Sequence, residues 1–179
     1  MEQDLAHRLA AIARHESTIR TTPLTRLLRR VGKFAWFAAA ARKVGPIVDP
    51  PLAKVRDGAL MAKVYGLPYL IMVTTGAKTG QPRTSPLLYL RDGTDFIVVG
   101  TSFGQPRHPG WTANLLAHPR ATVTIGGISV DVAAVQLDDS EWQQHFPRFV
   151  TLYPGYADYL ERRRGLVPRM FRLQPDGPL

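Results

Sequence analysis

The spacing of apolar positions divides the chain into a helical first third and a strand-rich remainder. Leu5, Leu9, Ile12 and Ala13 keep a helical period and predict a helix over 4–20. Thr22-Pro23 reads as an N-cap followed by proline at the first helical position. From there Leu24, Leu27, Leu28, Val31, Ala35 and Ala38 carry the helical period to about Val44, where Gly45-Pro46 breaks it. Pro46, Pro50 and Pro51 mark a linker, and a third helical piece over 54–65 ends at Gly66.

The pattern changes at Leu67. Runs over 69–75, 84–91 and 95–100 read as strands, the last two joined by Asp92-Gly93, a strong hairpin signal. A short helix over 111–117 stops at Pro119. Runs 121–125 and 128–135 form a second hairpin at Gly126-Gly127. Helical pieces follow over 140–152 and 157–164, then a last strand over 167–173. Short strands joined by tight turns, with no crossover helices between the first three, favour a small antiparallel barrel and exclude a Rossmann fold. Two units are expected, a helical extension over 1–66 and a barrel domain over 67–179.

Composition narrows the chemistry. Cysteine is absent from the 179 residues, which removes disulfides, a thiolate nucleophile and cysteine-ligated metal centres. The five histidines show no tight ligand spacing, so no metal is expected. Twenty-three Lys and Arg against 14 Asp and Glu give a net charge of +9, concentrated in the first 66 residues. A basic half calls for an anionic partner. The segment 24–44, with Trp36-Phe37 among basic residues, suits an anionic membrane surface; packing against the barrel is the competing expectation. No nucleic-acid reading motif is present, and none is expected as a partner. The start Met1-Glu2-Gln3-Asp4 lacks a basic secretory n-region, and no run reaches spanning length, so a cytoplasmic location is expected, with peripheral contact on the inner face of the membrane.

Three blocks carry candidate chemistry. The turn Thr74-Thr75-Gly76-Ala77-Lys78-Thr79-Gly80-Gln81-Pro82-Arg83 puts two glycines, three threonines and two cations between strands, a composition suited to an anion and equally to a solvated hairpin. Gly100-Thr101-Ser102-Phe103-Gly104 is a polar, glycine-rich strand exit. Trp111 and Asn114 share a helical face; Trp111 suits the wall of a flat ligand or a core position, and Asn114 a ligand edge or a turn cap. Near the end, Tyr153, Tyr156 and Tyr159 recur every three residues, and Arg162-Arg163-Arg164 reads as a solvated run or a polyanion contact.

These blocks, with Pro86-Leu87, Leu90-Arg91-Asp92-Gly93, Pro109, Leu115, Ala117, Pro119 and Leu152-Tyr153-Pro154, resemble the deazaflavin-dependent nitroreductase family over about residues 67–175. This is the actinobacterial group of coenzyme F420-dependent quinone and nitro reductases. The resemblance implies an α+β protein with a flavin-reductase-like, antiparallel split β-barrel. It implies hydride transfer from reduced coenzyme F420 to a quinone, a nitroaromatic or another electron-poor unsaturated molecule. It assigns the anionic tail to Lys78 and Arg83, with Thr79, Pro86 and Leu87 alongside. It assigns the ring and ribityl chain to Val99, Gly100, Thr101, Ser102, Trp111, Thr112 and Asn114, and the acceptor to Tyr153, Tyr156 and Tyr159. Tyr156 is the first choice for hydrogen-bonding or protonating the acceptor. Ala77, Phe103 and Thr112 depart from the family pattern, at the tail turn, the pocket mouth and the helix start. Two other readings share parts of the pattern: a flavin mononucleotide-using split-barrel oxidoreductase, which needs a compact phosphate site, and a non-catalytic carrier of deazaflavin or lipid, which binds without turnover.

Overall fold

A computed structural model describes residues 2–19 and 66–176. The helices expected over 24–44 and 54–65, the linker between them and the Thr22-Pro23 cap lie outside the described residues.

Six strands close into an antiparallel barrel: β1 (Tyr69–Thr75), β2 (Pro82–Asp92), β3 (Asp95–Val99), β4 (Arg120–Ile125), β5 (Ile128–Gln136) and β6 (Met170–Asp176), in the order β1-β2-β3-β6-β5-β4. Every pairing is antiparallel. Closure leaves no sheet edge exposed, which a free small sheet would have to protect. Two strand starts differ from the sequence reading by more than one residue. β2 begins at Pro82, opposite Thr75, because neither Pro82 nor Pro86 stops the pairing with β1. β6 begins at Met170 opposite Val99, three residues after the apolar run starts.

Alternating strand positions bury Leu70, Met72, Tyr89, Phe96, Val98, Val123, Val132, Phe171 and Leu173 inside the barrel. Each such apolar side chain contributes about 1.5–3 kcal/mol on burial. A second apolar cluster, with Ile97, Val99, Met170, Phe146 and Phe149, lies on the outer face, where α3 (Asp139–Leu152) and α4 (Gly155–Arg162) cover the sheet. Helix α3 starts on a reciprocal cap: the Glu141 N–H donates to the Asp138 side chain at 2.9 Å and the Asp138 N–H to Glu141 at 3.3 Å.

The pairings fix which loops meet. The ends of β1, β3 and β5 and the starts of β2, β4 and β6 share one rim. That rim carries turn 76–81, loop 100–109, α2 (Gly110–Ala117) and the connection through α3 and α4. The Asp92-Gly93 and Gly126-Gly127 hairpins lie at the other end. There α1 (Glu2–Ser17) docks, with Ile12 fully buried in the barrel cluster and Leu5 and Leu9 packed against it. The Tyr89 hydroxyl donates to Glu16 at 2.6 Å, and Arg8 donates to the Ser129 carbonyl at 3.0 Å. Helix α1 thus plugs one end of the barrel, and the loops gather at the other.

Candidate active site

Turn 76–81 is built by its own backbone. The Gly76 N–H donates to the Gln81 carbonyl at 2.9 Å, and the Gly80 N–H to the Gly76 carbonyl at 2.8 Å. Lys78, Thr79 and Arg83 are all exposed, and Arg83 reaches Thr79 Oγ1 at 3.5 Å. Two cations and a hydroxyl therefore stand on one solvent-facing turn. Pro86 and Leu87 sit further along β2, opposite Ile71 and Leu70; Pro86 is exposed and Leu87 packs on the barrel core.

Helix α2 ties this turn to the strand exit. Asn114 is buried and accepts the Ala77 N–H at 3.0 Å, while its amide donates to Thr74 Oγ1 at 2.9 Å. Thr74 in turn donates to the Arg83 carbonyl at 3.3 Å. Asn114 thus holds the Lys78 turn from below. Two turns of chain away, Gly100 lies against the start of α2: a Cβ there would sit 2.8 Å from Thr112 Cγ2 and 3.1 Å from the Pro109 ring, so only glycine fits. Thr112 is fully buried, and its hydroxyl donates to the Pro109 carbonyl at 2.9 Å. Trp111 is buried in the barrel, its ring edge-on to Phe171 at 5.7 Å, so the core role is the one its position fills. Val99 is buried on the outer face.

The strand exit continues into an unusual turn. Ser102, Phe103 and Gly104 have φ of 49°, 53° and 78°, three successive left-handed residues of which two are not glycine. Such conformations cost about 1–3 kcal/mol each for a side-chain-bearing residue and cluster at functional sites. The turn presses on α4: a Cβ at Gly104 would meet Tyr159 Cα at 3.2 Å. Phe103 is 49% exposed, with its ring edge-on to Tyr159 at 6.1 Å.

The three tyrosines pack together, with ring centroids 6.0 Å apart for Tyr153 and Tyr156, 5.9 Å for Tyr156 and Tyr159, and 6.3 Å for Tyr153 and Tyr159. Tyr156 and Tyr159 are buried and Tyr153 half-buried. Burial, reinforced by Tyr159, pushes the Tyr156 phenol well above its ordinary range. Burial also raises Tyr159, against a hydrogen bond from Tyr153 that works the other way. Both phenols are therefore neutral donors at physiological pH.

One residue at this rim escaped the sequence reading. Arg163 is fully buried, not part of a solvated run. It lies four residues after the end of the tyrosine stripe, and Tyr156, Tyr159 and Arg163 follow i, i+3, i+7 spacing, a signal that places it on their face.

Residues 51–169 match the model of a family described as F420H(2)-dependent quinone reductase. An F420H(2)-dependent quinone reductase of Mycobacterium tuberculosis strain H37Rv is 41% identical over 121 residues, 63% of this chain and 78% of that protein. A solved structure of an F420-H2 dependent reductase is 31% identical, with a TM-score of 0.54 over 60% of this chain and 94% of its own. A second solved structure, described as a domain-swapped dimer, is 29% identical, with a TM-score of 0.55 over 69% of this chain and 99% of its own. With two thirds of its length matched by the family model and its barrel shared with a solved reductase, the chain belongs to the F420H(2)-dependent quinone reductase family.

Proposed function

We propose that the rim formed by turn 76–81, loop 100–109 and the start of α2 holds coenzyme F420, and that the tyrosines of α4 meet a quinone beside it. The protein is an oxidoreductase of the F420H(2)-dependent quinone reductase type, with coenzyme F420 as its cofactor. The observation that carries the placement is a continuous line of contacts. It runs from the Lys78 turn to Asn114, along α2 to Thr112 and across to Gly100, then along the loop to Phe103, which packs against Tyr159.

The residues fit the cofactor. Lys78, Arg83 and Thr79 stand on an open turn, which suits an extended anionic tail better than the closed pocket a single phosphate requires. When bound in reduced form, coenzyme F420 supplies the hydride. Lys78 and Arg83 hold the charged tail, and Asn114 fixes the turn that presents them. Gly100, Thr101 and Ser102 bring backbone close to the ring, and Thr112 sets the spacing between this loop and α2. A quinone that gains a hydride also needs a proton to become a hydroquinone. Tyr156, held neutral by burial, donates a hydrogen bond or a proton at the acceptor oxygen. Nitroaromatic and other electron-poor acceptors belong to the same proposal.

The basic, apolar segment 24–44 is proposed to touch an anionic bilayer, placing the enzyme near lipid-soluble quinones; support comes from its residue pattern. No described helix is long and apolar enough to cross a membrane. Sedimentation of the full chain with anionic liposomes at low salt tests this, and absence of binding removes it.

The site is tested by titrating purified protein with coenzyme F420 and with flavin mononucleotide, then following anaerobic oxidation of the reduced deazaflavin by menadione. Tighter binding of the deazaflavin with menadione-dependent turnover is expected. Flavin mononucleotide binding with no response to the deazaflavin overturns the proposal, and binding without turnover against an acceptor panel favours a carrier.

A further inference from the structure

Arg163 is fully buried, yet no ion pair to it is found among the described residues. Its charge is met by carbonyl dipoles instead. Nη1 donates to the carbonyls of Thr101 at 2.8 Å, Gln105 at 3.0 Å and Arg107 at 3.1 Å, and Nε donates to Leu166 at 2.8 Å. Nη2 lies 3.4 Å from His108 Nδ1. A buried guanidinium is costly unless its donors are used, and its rigid fork suits converging carbonyls in a way a lysine ammonium does not. Three of these acceptors belong to the loop that contains the left-handed turn at Ser102, Phe103 and Gly104. The fourth lies just beyond α4. Three carbonyls of the strained loop therefore converge on one side chain, which leaves the same helical face as Tyr156 and Tyr159.

We infer that Arg163 is the positioning residue that locks loop 101–107 onto α4, so that the cofactor-side loop and the acceptor-side tyrosines are held as one unit. This rests on the placement of cofactor and acceptor proposed above. The strain in the turn gives the clamp its purpose. Released, Ser102 and Phe103 relax toward ordinary backbone angles, the Gly104 and Gln105 amides lose the 3.0 Å bonds they make to Thr101 and Ser102, and Phe103 leaves Tyr159. Arg163 touches neither cofactor nor acceptor; it acts through the loop and the helix.

The test uses Arg163→Met, which keeps aliphatic bulk and removes all five donors, and Arg163→Lys, which keeps the charge but cannot span the carbonyls. In the methionine variant, amide exchange at Gly104 and Gln105 is expected to accelerate at least about tenfold while β1 and β4 amides hold their rates. Coenzyme F420 affinity is expected to fall about tenfold. At saturating reduced cofactor, kcat with menadione falls as well, because the tyrosines are no longer aligned; a role in stability alone leaves kcat of the folded fraction unchanged. The lysine variant lies between, and carries the same comparison if the methionine variant does not fold. Adding Phe103→Gly, which relieves the left-handed strain, is expected to shrink the exchange acceleration. Unchanged exchange at Gly104 and Gln105, acceleration equal to that of the barrel strands, or an effect of Arg163→Met identical with and without Phe103→Gly overturns the clamp. If the wild-type protein binds no coenzyme F420, the proposed site fails, while the exchange comparison still decides the role of Arg163.

Discussion

Asn114 donates its side-chain amide to Thr74 Oγ1 at 2.9 Å, joining helix α2 to the end of β1 across forty residues of sequence. The same side chain accepts the Ala77 N–H, so a single amide fixes both the strand end and the turn that carries Lys78. Asn114→Ala leaves a backbone donor and a buried hydroxyl without these partners. Removing one partner of a buried hydrogen bond costs about 1–3 kcal/mol. The variant is therefore expected to melt roughly 2–12 °C lower, on the scaling for a chain of this size. It should also bind coenzyme F420 more weakly, because the turn is no longer held. Calorimetry paired with a fluorescence titration checks both; a variant with normal affinity and a lowered Tm would assign Asn114 to the fold alone.

Lys78 and Arg83 present the opposite case. Both are exposed, so their removal should change the stability of the free protein by no more than about 0.5 kcal/mol. Each is nevertheless expected to weaken coenzyme F420 binding about tenfold in Lys78→Ala or Arg83→Ala, the equivalent of about 1.4 kcal/mol. The contacts are exposed, so the loss should shrink as salt is raised. Titrations of both variants at low and high ionic strength make the check, and unchanged affinity in both would remove the tail from this turn.

The barrel was legible because two of its three hairpins announce themselves. Asp92-Gly93 and Gly126-Gly127 each sit between alternating runs, and with no crossover helices the antiparallel order followed. Strand ends were less legible: the run read as starting at Thr84, beyond Pro82, yet the pairing with β1 begins at Pro82 itself. Within the site, side-chain direction was the missing information. Trp111 and Asn114 share a face, but spacing does not say that the face points into the barrel and onto turn 76–81. Arg163 was hidden for a different reason. Three arginines in succession look alike, and only the i, i+3, i+7 relation to Tyr156 and Tyr159 separates the buried one from its neighbours. The left-handed turn at Ser102 and Phe103 had no signal in residue type, since neither residue favours that conformation.

His145 gives a prediction in pH. It is almost fully buried on α3, and burial lowers its pKa, with Arg148 and Arg172 acting in the same direction and Asp92 and Glu141 opposing. The unfolded chain therefore takes up a proton at a pH where the folded protein does not. His145 contributes stability that is present above the ordinary histidine pKa and lost as pH falls through it. His108, lowered by burial and by Arg169 and Arg163, works in the same sense. Asp92, held below the usual carboxylate range by Arg172, loses its contribution at lower pH still. Denaturant unfolding should therefore show falling stability from pH 7 to 5, and His145→Gln should flatten that slope. An identical slope in the variant would assign the loss to His108 or to other groups.

The acceptor side turns on which phenol delivers the proton. Tyr156 is buried among Phe149, Tyr153 and Tyr159, and its phenol is displaced upward by burial first and by Tyr159 second. A group kept neutral in this way donates a hydrogen bond to a developing oxyanion, and burial makes it a weaker acid, so its proton moves only as the acceptor oxygen becomes more basic. Tyr156→Phe keeps the ring packing and removes the donor. Cofactor affinity should stay within about twofold, because the tyrosines lie across loop 101–107 from turn 76–81, where the tail is proposed to bind. Turnover with menadione should fall by about tenfold or more, the lower part of the range for loss of a general acid. The pH dependence separates this from a packing effect. A phenol displaced upward remains protonated through pH 10, so wild-type kcat should show no decline from its ionisation below that point. Tyr153 and Tyr159 supply the control, since a hydrogen bond joins their phenols and offers a second route for the proton. If Tyr156→Phe turns over like the wild type while Tyr159→Phe is slow, the proton reaches the acceptor through that pair. If all three single variants are unaffected, the proton comes from water, and the tyrosines serve only to shape the pocket.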